Sequence, residues 1–167
     1  MAAGATYTPI TSYTAPSSQT SITLNSFSGY TDLEIVLSCN AASTAYHVFF
    51  QCNGDTGSNY SYTILGGDGT TAGSARASSQ TSGRITYYAA VRSGSPTIIR
   101  MKVMNYANST TYKTILSRSD RASDGAEAIV NLWRGASTAA ITSIVLQPSG
   151  ANFDTGTTVN VFGITAA

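Results

Sequence analysis

Asp32-Leu33-Glu34-Ile35-Val36-Leu37-Ser38-Cys39 is the stretch that decides the fold. Leu33, Ile35, Leu37 and Cys39 occupy every second position, with Asp32, Glu34, Val36 and Ser38 between them. Successive side chains leave a strand on opposite faces, so this period of two predicts a β-strand with one buried face. The same period recurs outward in both directions. Tyr46, Val48, Phe50 and Cys52 form the next inward set, closed by the turn cluster Asn53-Gly54-Asp55-Thr56-Gly57. Tyr60, Tyr62 and Ile64 follow, then Ile85, Tyr87, Ala89 and Val91, then Ile99, Met101 and Val103 alternating with Arg100 and Lys102. Residues 112–118, 141–146 and 159–164 read as further strands, as do 7–13 and 22–27 near the start. In residues 128–133, Ala128, Val130 and Leu132 face one way and Ile129, Asn131 and Trp133 the other. Residues 70–83 are rich in Gly, Ser, Thr and Ala without periodicity, which predicts a long surface loop.

No stretch of 11 or more residues carries a helical stripe. About nine or ten short strands separated by Gly/Ser/Asn/Asp turns predict an all-β fold, a jelly-roll-like two-sheet β-sandwich. A closed up-and-down barrel is the alternative. The domain expectation is an extended N-terminal arm over residues 1–18, with Pro9 and Pro16 and no helical pattern, followed by one sandwich domain over 19–167.

Composition narrows the function. The chain has 167 residues, 10% charged and 42% hydrophobic, with a net charge of +1. Thr (24) and Ser (23) replace the missing charge, against a usual charged fraction of about 25%. Disordered chains combine low hydrophobicity with high net charge, and this one has neither. A near-neutral chain also lacks the basic face that phosphate neutralisation requires, so nucleic acid is not an expected partner. No segment approaches the ~18 consecutive apolar residues of a membrane span. The opening residues Met1-Ala2-Ala3-Gly4-Ala5-Thr6 show no basic n-region and no apolar h-region, so no secretory signal is expected. Cys39 and Cys52 fall on neighbouring predicted strands. A disulfide between them is geometrically open, but without a secretion signal a pair of buried thiols is favoured.

Chemistry finds few footholds. His47 is the only histidine, and its flanks Tyr46 and Val48 put it mid-strand. No G-x-S-x-G, H-E-x-x-H, G-x-x-x-x-G-K-[ST] or C-x-x-C motif occurs. Two converging acids could form a glycosidase pair, yet most of the eight acids sit in turns, where Asp caps backbone N–H groups. Asp55, Asp68, Asp120 and Asp124 lie in loops where calcium ligands are found, but without EF-hand spacing. The expectation is therefore no enzyme, no cofactor and no metal. The ten tyrosines and the tryptophan could stack on sugars, although tyrosine is also simply a good strand former.

Val36, Phe49, Ile98, Met104, Ile129 and Trp133 are apolar residues on nominally outer strand faces. Left in water, each would forgo roughly 25 cal/mol per Å² of apolar area. Either a loop or the arm covers them, or they form a subunit interface; the scarcity of charge agrees with the second, because interface cores are depleted in charge.

Three blocks carry a family resemblance. Asn53-Gly54-Asp55-Thr56-Gly57-Ser58-Asn59-Tyr60-Ser61-Tyr62, with Gly67-Asp68-Gly69 after it, resembles a segment common in tailed-bacteriophage virion proteins. Tyr106-Ala107-Asn108-Ser109-Thr110-Thr111-Tyr112-Lys113-Thr114 resembles the middle hairpin of the same group. The third block runs through Trp133-Arg134, Ala139-Ala140-Ile141-Thr142-Ser143-Ile144, Phe153, Gly156 and Val161-Phe162-Gly163-Ile164. The resemblance implies a structural β-sandwich protein of a phage particle, located in the virion after assembly in the bacterial cytoplasm. Head decoration (cement) proteins and tail or fibre components both occur in the group, and no catalytic residue is carried over. One domain without a repeat suits a cement protein bound to the major capsid protein, with a homotrimer inferred from that role. The alternative is a tail or fibre component that binds a host surface glycan.

Overall fold

A computed structural model describes residues 6–41, 46–123, 125–135 and 137–165. Among them are twelve β-strands and no helix. They are β1 (Tyr7–Thr14), β2 (Ile22–Asn25), β3 (Asp32–Cys39), β4 (Val48–Cys52), β5 (Tyr60–Gly67), β6 (Ala72–Gln80), β7 (Gly83–Arg84), β8 (Thr97–Val103), β9 (Lys113–Arg121), β10 (Gly125–Trp133), β11 (Ser143–Pro148) and β12 (Thr158–Ile164). They form an eight-stranded antiparallel sheet, ordered β1-β12-β3-β8-β9-β10-β5-β6, and a four-stranded one, ordered β2-β11-β4-β7. The fold is thus an all-β two-sheet sandwich. Successive strands from β1 to β5 alternate between the sheets, so the chain does not run as an up-and-down barrel.

The deciding stretch is β3, flanked by β12 and β8 in the larger sheet. Leu33, Ile35, Leu37 and Cys39 are all buried, and meet Val48, Phe50 and Cys52 of β4 and Ile144 and Leu146 of β11 in one core. Phe50 fits because its neighbour across the pair is Gly83: a Cβ there would lie 2.1 Å from the Phe50 ring. Both cysteines are buried free thiols at the ends of strands in different sheets. Burial pushes the Cys39 thiol up to about 12, against a smaller opposing hydrogen bond with Tyr46, and raises Cys52 as well.

Four expectations need correction. Residues 70–83 are not a loop, because residues 72–80 form edge strand β6 on β5. Small residues on both faces hid the alternation, and a local irregularity with Ser79 at φ 54° breaks its phase further. The strand expected over 7–13 forms as edge strand β1, but it pairs with β12 in the sheet and does not belong to a separate arm, and Ile10 and Tyr13 pack on the core. The first five residues of that arm lie outside the described residues.

Residues 85–91 do not make the strand expected from Ile85, Tyr87, Ala89 and Val91. Pairing there is confined to the ends of the segment: Ile85 N–H donates to Val48 C=O at 3.0 Å next to the two-residue β7, and Val91 bridges Tyr46. The amides of Tyr87, Tyr88 and Ala89 instead donate to the buried Glu127 carboxylate, at 2.6, 2.9 and 3.2 Å. Ser119 Oγ–H donates to the same carboxylate at 2.7 Å.

The fourth correction concerns β10, whose faces are reversed. Ile129 and Trp133 are buried, at 0% and 5% exposure, and do not belong to an outer face. Their companions on the inner face are polar: Glu127, engaged as above, and Asn131. The Asn131 amide accepts from Arg84 N–H and donates to Arg84 C=O, both at 2.9 Å, and so pairs with β7 as a strand backbone would. A buried polar group with every hydrogen bond made is tolerated in a core, and here two of them disguised the inner face as the outer one.

Candidate functional site

Parts of the three blocks singled out in the sequence meet at one end of the sandwich: Asn53 to Tyr60, Lys113, and Trp133 with residues 138–143. Asn53 and Gly54 both have positive φ, 54° and 67°, and Asp55 N–H donates to Cys52 C=O at 2.9 Å. That is the geometry Asn-Gly turns favour. The Asn53 side chain then reaches the third block: its Oδ1 accepts from Thr142 N–H at 2.8 Å and Ser143 N–H at 3.2 Å, and its Nδ2 donates to Ala140 C=O at 2.8 Å. The Asp55 carboxylate accepts from Gly57 N–H at 2.9 Å, from Asn59 Nδ2 at 3.0 and 3.1 Å, and from Trp133 Nε1–H at 2.7 Å. Tyr60 closes the loop, its hydroxyl donating to Asp55 C=O at 3.1 Å and accepting from Cys52 N–H at 2.9 Å.

The middle block contributes Lys113, whose residue is only 2% exposed and whose Nζ donates to Thr111 C=O at 2.6 Å and Thr138 C=O at 3.0 Å. Burial lowers its pKa, with the nearby Cys52 opposing. Burial alone would raise the Asp55 pKa, but the hydrogen bonds from Trp133, Gly57 and Asn59 together outweigh it and hold it below the ordinary value. Every group in this knot is engaged by another, so its chemistry is cohesion. It offers no free acid, base or nucleophile.

The other loop aspartates are dispersed. Asp68 accepts from Thr70 N–H, Thr71 N–H and the Thr70 hydroxyl at 2.7–2.9 Å, and these bonds hold its pKa down at about 2. Asp120 is the penultimate residue of β9, and Asp124 lies outside the described residues. Among the described residues no three His, Cys, Asp or Glu side chains group as a metal site would require. His47 stacks on Tyr87, ring centroids 6.1 Å apart, and its Nδ1 is buried without a hydrogen-bond partner. Burial, helped by Arg84 and Arg92, lowers its pKa to about 4. No carboxylate hydrogen-bonds this imidazole among the described residues, so the orienting acid of a catalytic triad is missing.

What remains is surface. Val36 and Ile98 sit half-buried on the outer face of the larger sheet, on β3 and β8, and Met104 is half-buried just after β8. Phe49 lies half-buried on β4, in the other sheet, beside Arg84. The sequence-level set therefore does not form a single patch. The exposed apolar residues missed by that reading are Leu65, Val130 and Leu132, at 63%, 42% and 39%. Register puts them on one face, Leu65 opposite Ala128 and diagonal to Val130, with Leu132 two residues further along β10 opposite Ser61. A shallow groove of about 480 Å³ runs past Val130 and Leu132, walled by Ser61, Thr63, Arg76 and Ser78. Reversing the phase of β10 would have revealed Val130 and Leu132, but the polar Glu127 and Asn131 argued against it; Leu65 follows from the phase of β5, next to the inward Ile64. Elsewhere on this face the ion pairs Arg100–Glu34, 2.8 Å, and Lys102–Asp32, 3.2 Å, keep the surface polar.

The fold and surface define an all-β two-sheet sandwich protein. No protein-family model matches the chain, and no curated protein sequence does. A similar solved structure is the galectin LEC-6 of Caenorhabditis elegans, at 10% identity, covering 93% of this chain and 96% of that one, with a TM-score of 0.36. At that level it carries no argument about function.

Proposed function

We propose that this protein is a non-enzymatic virion structural protein, a decoration (cement) protein that binds the outside of a phage head and stabilises contacts between capsomers. The observation that carries the reading is the exposed apolar row Leu65, Val130 and Leu132 on the outer face of the larger sheet. Apolar side chains that are about two-fifths to two-thirds exposed on a sheet face are stabilised by a second surface. The resemblance of the three blocks to virion proteins supplies the partner, the major capsid protein. A homotrimer suits the local three-fold positions of an icosahedral shell.

Attachment through apolar and hydroxyl groups depends weakly on salt. Purified particles should retain the protein through washes at 1 M NaCl, whereas the double variant Val130→Asp/Leu132→Asp, folded in isolation, should fail to bind stripped particles. Release of the native protein by salt alone would sink the cement reading. A second reading, a tail or fibre module that binds a host surface glycan, draws on the hydroxyl-walled groove beside Val130, with Arg76 at its rim. Glycan-array binding by the isolated protein would favour it.

A further inference from the structure

On the opposite side of the molecule, the smaller sheet carries an arginine fixed at every point except its tip. The Arg84 backbone is gripped by the Asn131 amide, and its Nε–H donates to Thr86 C=O at 2.8 Å. The guanidinium carbon lies 4.5 Å from the Tyr87 ring centroid and 5.1 Å from that of Phe49. Tyr87 in turn stacks on His47 and meets Tyr88 edge-on, with centroids 5.0 Å apart. Among the described residues no carboxylate pairs with Arg84: Glu34 and Asp32 serve Arg100 and Lys102 on the other sheet. Glu127, beneath the same segment, is engaged by three backbone amides and Ser119. A groove of about 240 Å³ adjoins Phe49, lined by Gln51, Thr81, Ser82, Gln147 and Pro148.

We propose that Arg84 is the anchor of a docking surface for an acidic segment of a partner protein, its guanidinium fork receiving a side-chain carboxylate while the segment lies along the Phe49 groove. A guanidinium already immobilised over aromatic rings loses little freedom on binding, and its planar fork matches a carboxylate with two parallel hydrogen bonds. Arginine and tyrosine anchors of this kind dominate interface energetics. The observations favour a polypeptide over a sugar, because the Phe49 and Tyr87 rings are engaged by Arg84 and His47 and are less available for stacking on a pyranose. The inference goes beyond the virion reading and does not rest on it, so either can fail alone.

The test is an NMR titration of the full chain, with hexaglutamate peptide as probe and oligogalacturonate of matched charge as the second arm. Hexaglutamate should shift the Arg84 Nε–H and the Phe49 and Tyr87 amide signals saturably. Arg84→Gln should weaken binding about ten-fold, the scale of one charge-assisted bidentate contact. Arg84→Lys keeps the charge and guards against a folding defect; it should also weaken binding, since an ammonium cannot form the fork. Unchanged amide signals from β3 would show that both variants are folded. No shift at Arg84, or equal binding by Arg84→Gln and the native chain, would overturn the proposal. Tighter binding of oligogalacturonate than of the peptide would overturn it too, in favour of an acidic glycan.

Discussion

The Trp133 indole N–H donates to Asp55 Oδ2 at 2.7 Å, across 78 residues of chain. Trp133 is the last residue of β10, Asp55 lies in the turn after β4, and the two sheets are tied where they meet. The contact also has no room to spare: a Cβ on Gly135 would come within 2.9 Å of the Trp133 ring and 3.3 Å of the Asp55 carboxylate. A turn that looks local in the sequence is therefore a tertiary joint.

Asp55→Ala removes the acceptor for Trp133, Gly57 and Asn59 together. Loss of hydrogen bonds to a charged group, with donors left unpaired, costs about 2–3 kcal/mol. Trp133 is the only tryptophan, so denaturant unfolding followed by its fluorescence reads both the stability loss and the changed indole environment. Because the folded pKa of Asp55 lies below its unfolded value, its stabilisation is complete above the ordinary carboxylate range and is lost as pH falls through the folded pKa. A variant as stable as the native chain would show the joint to be ornamental.

Glu127→Gln should loosen the cover over β10. One acceptor oxygen becomes an amide donor facing the amides of Tyr87, Tyr88 and Ala89 and the Ser119 hydroxyl. The expected cost is about 2–4 kcal/mol, by the penalty for unsatisfied buried groups. Hydrogen exchange at those three amides should accelerate more than exchange in β3. Uniform acceleration throughout would mean that Glu127 supports global stability and not this segment.

His47 gives a pH dependence with a definite sign. Its folded pKa, about 4, lies below the unfolded value of 6.5, so the unfolded chain takes up the proton first. Stability is then fully present above pH 6.5 and declines as pH falls toward 4. With the imidazole only partly buried, the loss discounted for solvent is on the order of 1–2 kcal/mol. His47→Gln should flatten the decline between pH 6.5 and 4.5, a window largely above the carboxylates. An unchanged slope in that variant would place the titration elsewhere.

Cys39 and Cys52 should be inert to Ellman's reagent at pH 8 in the native protein, since both are buried and their thiols held protonated. Both should react fully once the chain is unfolded. Rapid labelling of either in the native state would mean that the sandwich opens at that strand end.

The legibility of the sequence followed its chemistry. β3 and β4 could be read residue by residue, because aliphatic and aromatic side chains mark their inner face. β6 could not, since Ala, Gly and Ser leave no contrast between faces on an edge strand. The inner face of β10 was concealed by Glu127 and Asn131, polar residues whose partners lie about 40 residues away and have no local signature. Val130 and Leu132, on the opposite face of β10, were missed for the same reason. The turn at Asn53-Gly54-Asp55 was legible as a turn, but not its grip on Trp133. Phe49 was recognised as outward-facing, though not as the neighbour of Arg84.

The proposed place on a phage shell is tested by the number of copies per particle, measured by quantitative mass spectrometry of purified virions against the major capsid protein. Hundreds of copies are expected for a decoration protein that covers the head lattice. A few to tens of copies would contradict that placement and put the protein in the tail.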